Sequence, residues 1–456
     1  MKNIIKLSIT TACILSSLSL QASEDLSSAF SEGKFSGQIR EYSIYRDVLF
    51  TDSSNDFTRK ANAIGGHLKF ETASYHNLKL GTAIYSTNGF HLDSQKTNAT
   101  VVDPTLLGKY NASYSFIGEG YLEYKYNDTI FKAGRQKLNT PFVDADDAKM
   151  VPNLFEAYTL TNKSIKDTTL GLSHITKIAQ GTFGRVYGGG ILAATSGYTA
   201  VSPSRDIGNV GHFKNIGEYS VDKQTNGITV VSAIYENQNN IKFQLWDYYA
   251  HDIVNTIYAQ ADFSWDCSLS SDVKPYLKTQ LIKQNDIGDK LLSTLGGDGS
   301  INSLYYGTQL GAKIQNLTTS ISYSQTSKNL STDDVYNHGI ISLWGGMPAF
   351  TQSLVTRHMF LAGTKALKLE ALYDFKSHGL NLKADIYHAS YDMATNNGYT
   401  FADAKESGFN LVYDLESIKN LKLKCSGIYA SDFHVDNTTK NTIGWDEYRF
   451  SINYNF

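Results

Sequence analysis

The last ten residues, Glu447 to Phe456, alternate without a break. Tyr448, Phe450, Ile452, Tyr454 and Phe456 fall on one face, and Glu447, Arg449, Ser451, Asn453 and Asn455 on the other. A two-residue period is that of an extended strand, whose successive side chains point to opposite sides. A soluble sandwich strand shares the period, but here aromatics stand at both ends of the apolar row, as in a strand whose ends lie at the two interfaces of a bilayer. In hydrocarbon every backbone N–H and C=O must be paired within the protein, which only helices and closed barrels achieve. Beyond Ala22 no continuous apolar run is long enough for a spanning helix, and the mean hydropathy is -0.29. Closure of a sheet is the remaining solution.

Strand-like segments recur along the chain, joined alternately by short turns and long polar stretches. The pattern predicts Phe35–Arg46, Asn62–Thr72, Leu78–Asn88, Phe116–Tyr126, Thr129–Lys137, Asp167–Lys177, Thr182–Thr195, Gly227–Tyr235 and Ile241–Ala250 in the first half. Asn255–Asp266, Val273–Lys283, Leu304–Ile314, Leu317–Thr326, Thr364–Phe375, Gly379–Ser390, Ser407–Leu415, Asn420–Asp432 and Trp445–Phe456 follow. The fold expected is all-β: a single antiparallel transmembrane barrel of about eighteen strands with inward-folded loops. Its alternation is cleanest near the C-terminus, where Leu367, Leu369, Ala371 and Tyr373 oppose Lys368, Glu370 and Asp374. A one-residue slip would turn Arg449 or Lys383 into lipid at roughly 2–4 kcal/mol each. Barrels of eight strands fill with side chains, whereas those near sixteen to eighteen leave an aqueous path. A charged inner row in so wide a barrel implies a channel.

Residues 1–22 carry Lys2 and Lys6, an apolar run from Leu7 to Leu20, and Gln21-Ala22 before Ser23. This is the pattern of a secretory signal peptide, leaving residues 23–456 as one barrel domain. Without Lys2 and Lys6 the 41 basic residues fall to 39 against 44 acidic ones. So acidic a chain is a poor nucleic-acid binder. Cys425 shares parity with Leu421 and Leu423 and is expected to face lipid unbridged to Cys267. No Gly-x-Ser-x-Gly or His-Glu-x-x-His occurs, and Gly188-Gly189-Gly190 lacks the following helix of a phosphate loop, so neither an enzyme nor a cofactor is expected. A plugged receptor is disfavoured because the first strand begins about a dozen residues after Ala22. A structural or adhesive barrel is the other reading.

Several stretches resemble the porin D (OprD) family of outer-membrane channels, in the variant typical of epsilonproteobacterial proteins. One is Gly33 to Arg40 leading to Tyr45-Arg46-Asp47. A second is Gly134-Arg135-Gln136-Lys137-Leu138-Asn139-Thr140-Pro141 with Asp147, Met150-Val151-Pro152-Asn153 and Phe155-Glu156-Ala157. A third is Trp344-Gly345-Gly346-Met347-Pro348-Ala349-Phe350 with Thr356-Arg357-His358. The terminal Tyr454 and Phe456 resemble the signature read by the barrel-assembly machinery. The resemblance implies eighteen strands, loops that narrow the pore at the second and third motifs, and a row of basic side chains guiding small carboxylates, amino acids or other anions. It also implies outer-membrane lipids and lipopolysaccharide as surroundings, with a homotrimer as one assembly.

Transport needs a hole with a biased field, since charges in low-dielectric walls concentrate counter-ions. The candidates are Arg40, Arg46, Arg59, Arg135, Lys137, Lys149 and Arg357, whose guanidinium groups can hold a carboxylate in two hydrogen bonds. Each could equally be a structural pair with a nearby acid. His358 would add pH-dependent charge or simply fill space. Asp144, Asp146 and Asp147 beside Lys149 would set up a transverse field that suits zwitterions; their bland alternative is a solvated or Ca²⁺-binding loop. Two parity conflicts stand out. Glu41 falls on the lipid side of its strand, requiring a bulge or a place at the rim, and Arg135 shares parity with Phe131 and Ala133.

Overall fold

A computed structural model describes residues 25–52, 56–90, 102–103, 105–108, 112–182, 194–195, 211–238, 240–328, 339–395, 397, 399–400, 402–435 and 441–456. The expected signal peptide and Gly188–Gly190 lie outside these residues. The short helix Leu26–Ser31, capped by the Asp25 carboxylate on Ser28 N–H at 2.7 Å, precedes the sheet.

The strands are β1 (Lys34–Phe50), β2 (Phe57–Glu71), β3 (Leu78–Gly89), β4 (Tyr114–Tyr126), β5 (Thr129–Gln136), β6 (Leu154–Asn162), β7 (Thr168–Ala179), the two-residue β8 (Lys214–Asn215), β9 (Ile228–Glu236) and β10 (Ile241–Ala250). They continue with β11 (Val254–Ser264), β12 (Val273–Asp286), β13 (Asn302–Ile314), β14 (Leu317–Thr326), β15 (Lys365–Asp374), β16 (Leu382–Asp392), β17 (Ala404–Asp414), β18 (Leu421–Val435) and β19 (Thr442–Asn455). Sequence neighbours pair antiparallel, β7 pairs directly with β9, and β1 pairs with β19 from Gln38–Asn455 to Phe50–Ile443, closing the barrel. Eighteen staves result, with β8 an extra fragment on the edge of β7.

The stave count agrees with the sequence expectation through two errors that cancel. Leu154–Asn162 is a stave that the pattern missed, because Phe155 and Ala157 face the packed interior while Tyr158 and Leu160 face out, which removes the polar-in alternation. Among the described residues β6 and β9 occupy both sides of β7, leaving no stave position beside it for the expected Thr182–Thr195, whose described part, Thr182 and Ala194-Thr195, is bend and helix. Most of the expected segment lies outside the described residues. The staves flanking the seam also run longer than expected, β1 to Phe50 and β18 to Val435. In these extensions Val48 and Phe433 are buried in one apolar cluster and Val435 is buried as well, which ends the polar-in alternation while backbone pairing continues.

Short turns lie at one end. Both His76 and Asn77 adopt positive φ, 48° and 66°, the two-residue turn whose twist matches a hairpin. Tyr75 and Leu78 exchange both backbone hydrogen bonds across it. At the seam Gly37 N–H donates to Phe456 O at 3.0 Å and Phe456 N–H to Gly37 O at 3.1 Å, so the last residue completes the closing ladder. Cys267 and Cys425 are both free. Of the two readings of Glu41, a bulge or a place at the rim, the bulge does not occur, for β1 keeps unbroken register with both neighbours. Glu41 stays on the outer face, where Asn62 Nδ2 donates to Ser43 Oγ at 2.6 Å and Ser43 Oγ donates to a Glu41 carboxylate oxygen at 2.6 Å. The largest buried apolar cluster is inside the barrel, where Phe142, Val143, Trp344 and Phe360 from the long loops pack on Tyr248, Tyr258 and Tyr305 of the wall.

Candidate pore constriction

Among the described residues, parts of loop 2 (between β3 and β4), loop 3 (137–153, between β5 and β6) and loop 7 (between β14 and β15) pack inside the barrel, as do parts of the β7–β9 and β12–β13 connections. Loops 3 and 7 are joined to one another. Val143 bridges Trp344 and Gly345, and Asp144 N–H donates to Trp344 O at 2.9 Å. Gly345 has φ +88°, and a Cβ there would lie 2.4 Å from Asp144 O, so the approach requires glycine. Loop 7 is tied in turn to the wall, because Glu406 of β17 accepts from the N–H groups of Leu354, Val355 and Thr356.

Charged side chains of loops 2 and 3 meet the inward face of the seam staves. Arg40 Nε donates to Asn453 Oδ1 at 2.7 Å and Arg40 NH1 to Asp147 Oδ1 at 2.8 Å. Lys137 Nζ reaches the other Asp147 oxygen at 2.6 Å. Arg46 bridges Asp103 of loop 2 and Glu447 of β19, both at 2.5 Å, and Arg449 shares Glu447. Lys149 Nζ donates to Thr105 Oγ1. Opposite this group, Arg357 NH1 stands 3.7 Å from Asp146 Oδ2. Six basic groups, Arg40, Arg46, Lys137, Lys149, Arg357 and Arg449, therefore face four acids, Asp103, Asp146, Asp147 and Glu447. Asp144 stands beside them, its carboxylate accepting from Asp146 N–H.

Burial and partners set the charge states in the loops. Burial pushes Asp147 up, but Arg40 and Lys137 outweigh it and hold the carboxyl below its usual range. Burial likewise opposes, and Arg46 and Lys149 reverse, the shift at Asp103, which ends below its usual range. Burial wins at Asp144, raised to about 6, and at Asp146, raised despite Arg357. It also brings Lys149 down to about 7. With Asp144 counted, the lattice holds six bases against five acids, and Lys149 and Asp144 are the members poised to titrate near neutral pH.

The sequence matches the profile of the outer membrane porin, OprD family, over residues 28–456. The chain belongs to the OprD family of outer-membrane porins. Its barrel is similar to the crystal structure of Pseudomonas aeruginosa OccK9 (OpdG), with TM-score 0.71, 16% identity, and coverage of 94% of this chain and 100% of that one. It is also similar to that of Pseudomonas aeruginosa OpdK with vanillate, with TM-score 0.70, 14% identity, and coverage of 94% and 99%. At these identities the likeness is one of fold. No individually curated protein matches the sequence. The porin is thus an outer-membrane channel for small solutes, and its family and fold are those of channels rather than enzymes.

Of the sequence candidates, the porin brings together Arg40, Arg46, Lys137, Asp144, Asp146, Asp147, Lys149 and Arg357. Three stand apart. Arg135 keeps the outward parity of Phe131, 3.8 Å from Glu156, with its guanidinium 4.4 Å from the Phe213 ring centre. Arg59 faces inward opposite Arg46 but lies over the Phe57 ring at 4.9 Å. His358 is buried, shares a 2.7 Å hydrogen bond with Phe433 O, and is brought by burial down to about 4, so it is a neutral filler at physiological pH. Sequence reasoning missed Asp103, Asn453, Glu447, Arg449 and Glu406 as members of the site. The signal for Glu447, Arg449 and Asn453 was present in the inward parity of the terminal strand. Nothing local marks Asp103 or Glu406.

Proposed function

We propose that the porin passes small hydrophilic solutes (ions, small carboxylates or amino acids) by passive diffusion, and that the charged lattice between loop 3 and the seam staves selects among them. The observation that carries this reading is that Arg40 and Lys137 converge on Asp147 where loop 3 meets the wall, while Arg357 faces Asp146 from loop 7. An excess of bases in a low-dielectric surround raises the local concentration of anions, and the neighbouring acids give a transverse component suited to zwitterions. Vanillate, the carboxylate in the OpdK structure, is the natural first probe.

Residues 1–22 act in this reading as a signal peptide, and Tyr454 and Phe456 as the signal for the assembly machinery. The outward polar chain Asn62–Ser43–Glu41 favours contact between copies as a homotrimer. Single-channel recording in planar bilayers under a salt gradient tests the selectivity. A steady conductance with anion preference that R357Q and K137Q reduce is expected, with competition by vanillate. Steady conductance with cation preference would place selection on the acids instead, and absence of conductance would leave a structural barrel.

A further inference from the structure

We propose that Glu406 is a positioning residue for pore selectivity: from the barrel wall it fixes the loop 7 turn that presents Arg357 to Asp146. The inference rests on the proposed role of Arg357 and goes beyond it by naming what holds that side chain in place. Glu406 is wholly buried on the inward face of β17. A buried carboxylate is costly unless its oxygens are satisfied, and all four donors found here come from fixed positions. Leu354 N–H lies 2.9 Å from Oε1, Val355 N–H 3.3 and 3.2 Å from the two oxygens, Thr356 N–H 2.5 Å from Oε2, and Tyr387 Oη 2.6 Å from Oε1.

Three consecutive N–H groups aimed at one carboxylate set the path of residues 354–356, and Arg357 is the next residue. The same turn is held from β16, where Tyr391 Oη donates to Thr356 O at 2.8 Å and lies 2.8 Å from Ser353 Oγ. Arg357 then reaches Asp146 of loop 3 at 3.7 Å. A carboxylate is specific for this task because it has no donor of its own. An amide would turn an N–H₂ toward N–H groups and leave them unpaired.

The experiment compares wild type, R357Q, E406Q and E406Q/R357Q in planar bilayers, reading the reversal potential under a salt gradient, with heat-modifiable migration reporting the folded barrel. E406Q is expected to migrate as a folded barrel, to shift the reversal potential in the direction of R357Q and to add nothing in the double variant. A folded E406Q with wild-type selectivity, while R357Q shifts it, overturns the positioning role. A wild-type reversal potential in R357Q overturns the reading of Arg357 itself. Should E406Q not assemble, Y391F releases the same turn with Glu406 intact; a shift matching R357Q supports the positioning of Arg357 by the turn, and wild-type selectivity overturns it.

Discussion

Replacing Gly345 with alanine separates the docking of loops 3 and 7 from the stability of the barrel. At φ +88° an L-residue is strained by roughly 1–2 kcal/mol. The new Cβ would stand 2.4 Å from Asp144 O and 2.5 Å from Asn153 Nδ2, both inside van der Waals contact. Backbone must therefore shift, which breaks the Asp144 N–H to Trp344 O bond and the Asn153 Nδ2 to Asp144 O bond. At about 1 kcal/mol each, the loss totals roughly 3–4 kcal/mol. All of it falls on the loop contact, because no stave ladder includes these residues. Amide hydrogen exchange at residues 143–145 of G345A should accelerate on the order of 100-fold or more, in line with that local opening energy, while heat-modifiable migration stays unchanged. Unaltered exchange at Asp144 would refute the argument that loop 7 needs glycine to hold loop 3.

On the proposed role of the charged lattice, the raised pKa of Asp144 and the lowered one of Lys149 should give selectivity a pH dependence. As pH rises from about 5 to 8, Asp144 gains a negative charge near 6 and Lys149 loses a positive one near 7, so anion preference should weaken. D144N should flatten the lower limb and K149R the upper one, and a flat wild-type reversal potential across this range would contradict both assignments. The stability signs differ. Asp144, bound to its proton more tightly when folded, contributes stability that is lost as pH rises through about 6; Lys149 costs stability below about 7 and less as pH climbs toward the ordinary lysine range. Deleting Phe456 removes both Gly37 hydrogen bonds at the seam and should lower the yield of heat-modifiable barrel in outer-membrane fractions; an undiminished yield would show that the closing ladder tolerates the loss.

The sequence alone determined the barrel, because a two-residue period with aromatic ends has few other solutions in lipid. It also settled which face of the C-terminal staves turns inward, since a slip would place Arg449 or Lys383 in hydrocarbon. It did not mark β6, whose inward residues are apolar because loops 3 and 7 cover them rather than water. Strand parity in the sequence already set Arg135 with Phe131 and Ala133, apart from Arg40, and the staves keep that parity although both arginines stand in the family motifs. The tertiary structure decided which acid faces which base. Asp147 meets Arg40, 107 residues earlier in sequence, and Arg46 meets Glu447, 401 residues later. Strand period is a local property of side-chain direction and is written residue by residue, whereas charge pairing depends on how far the inward loops fold before packing and desolvation stop them.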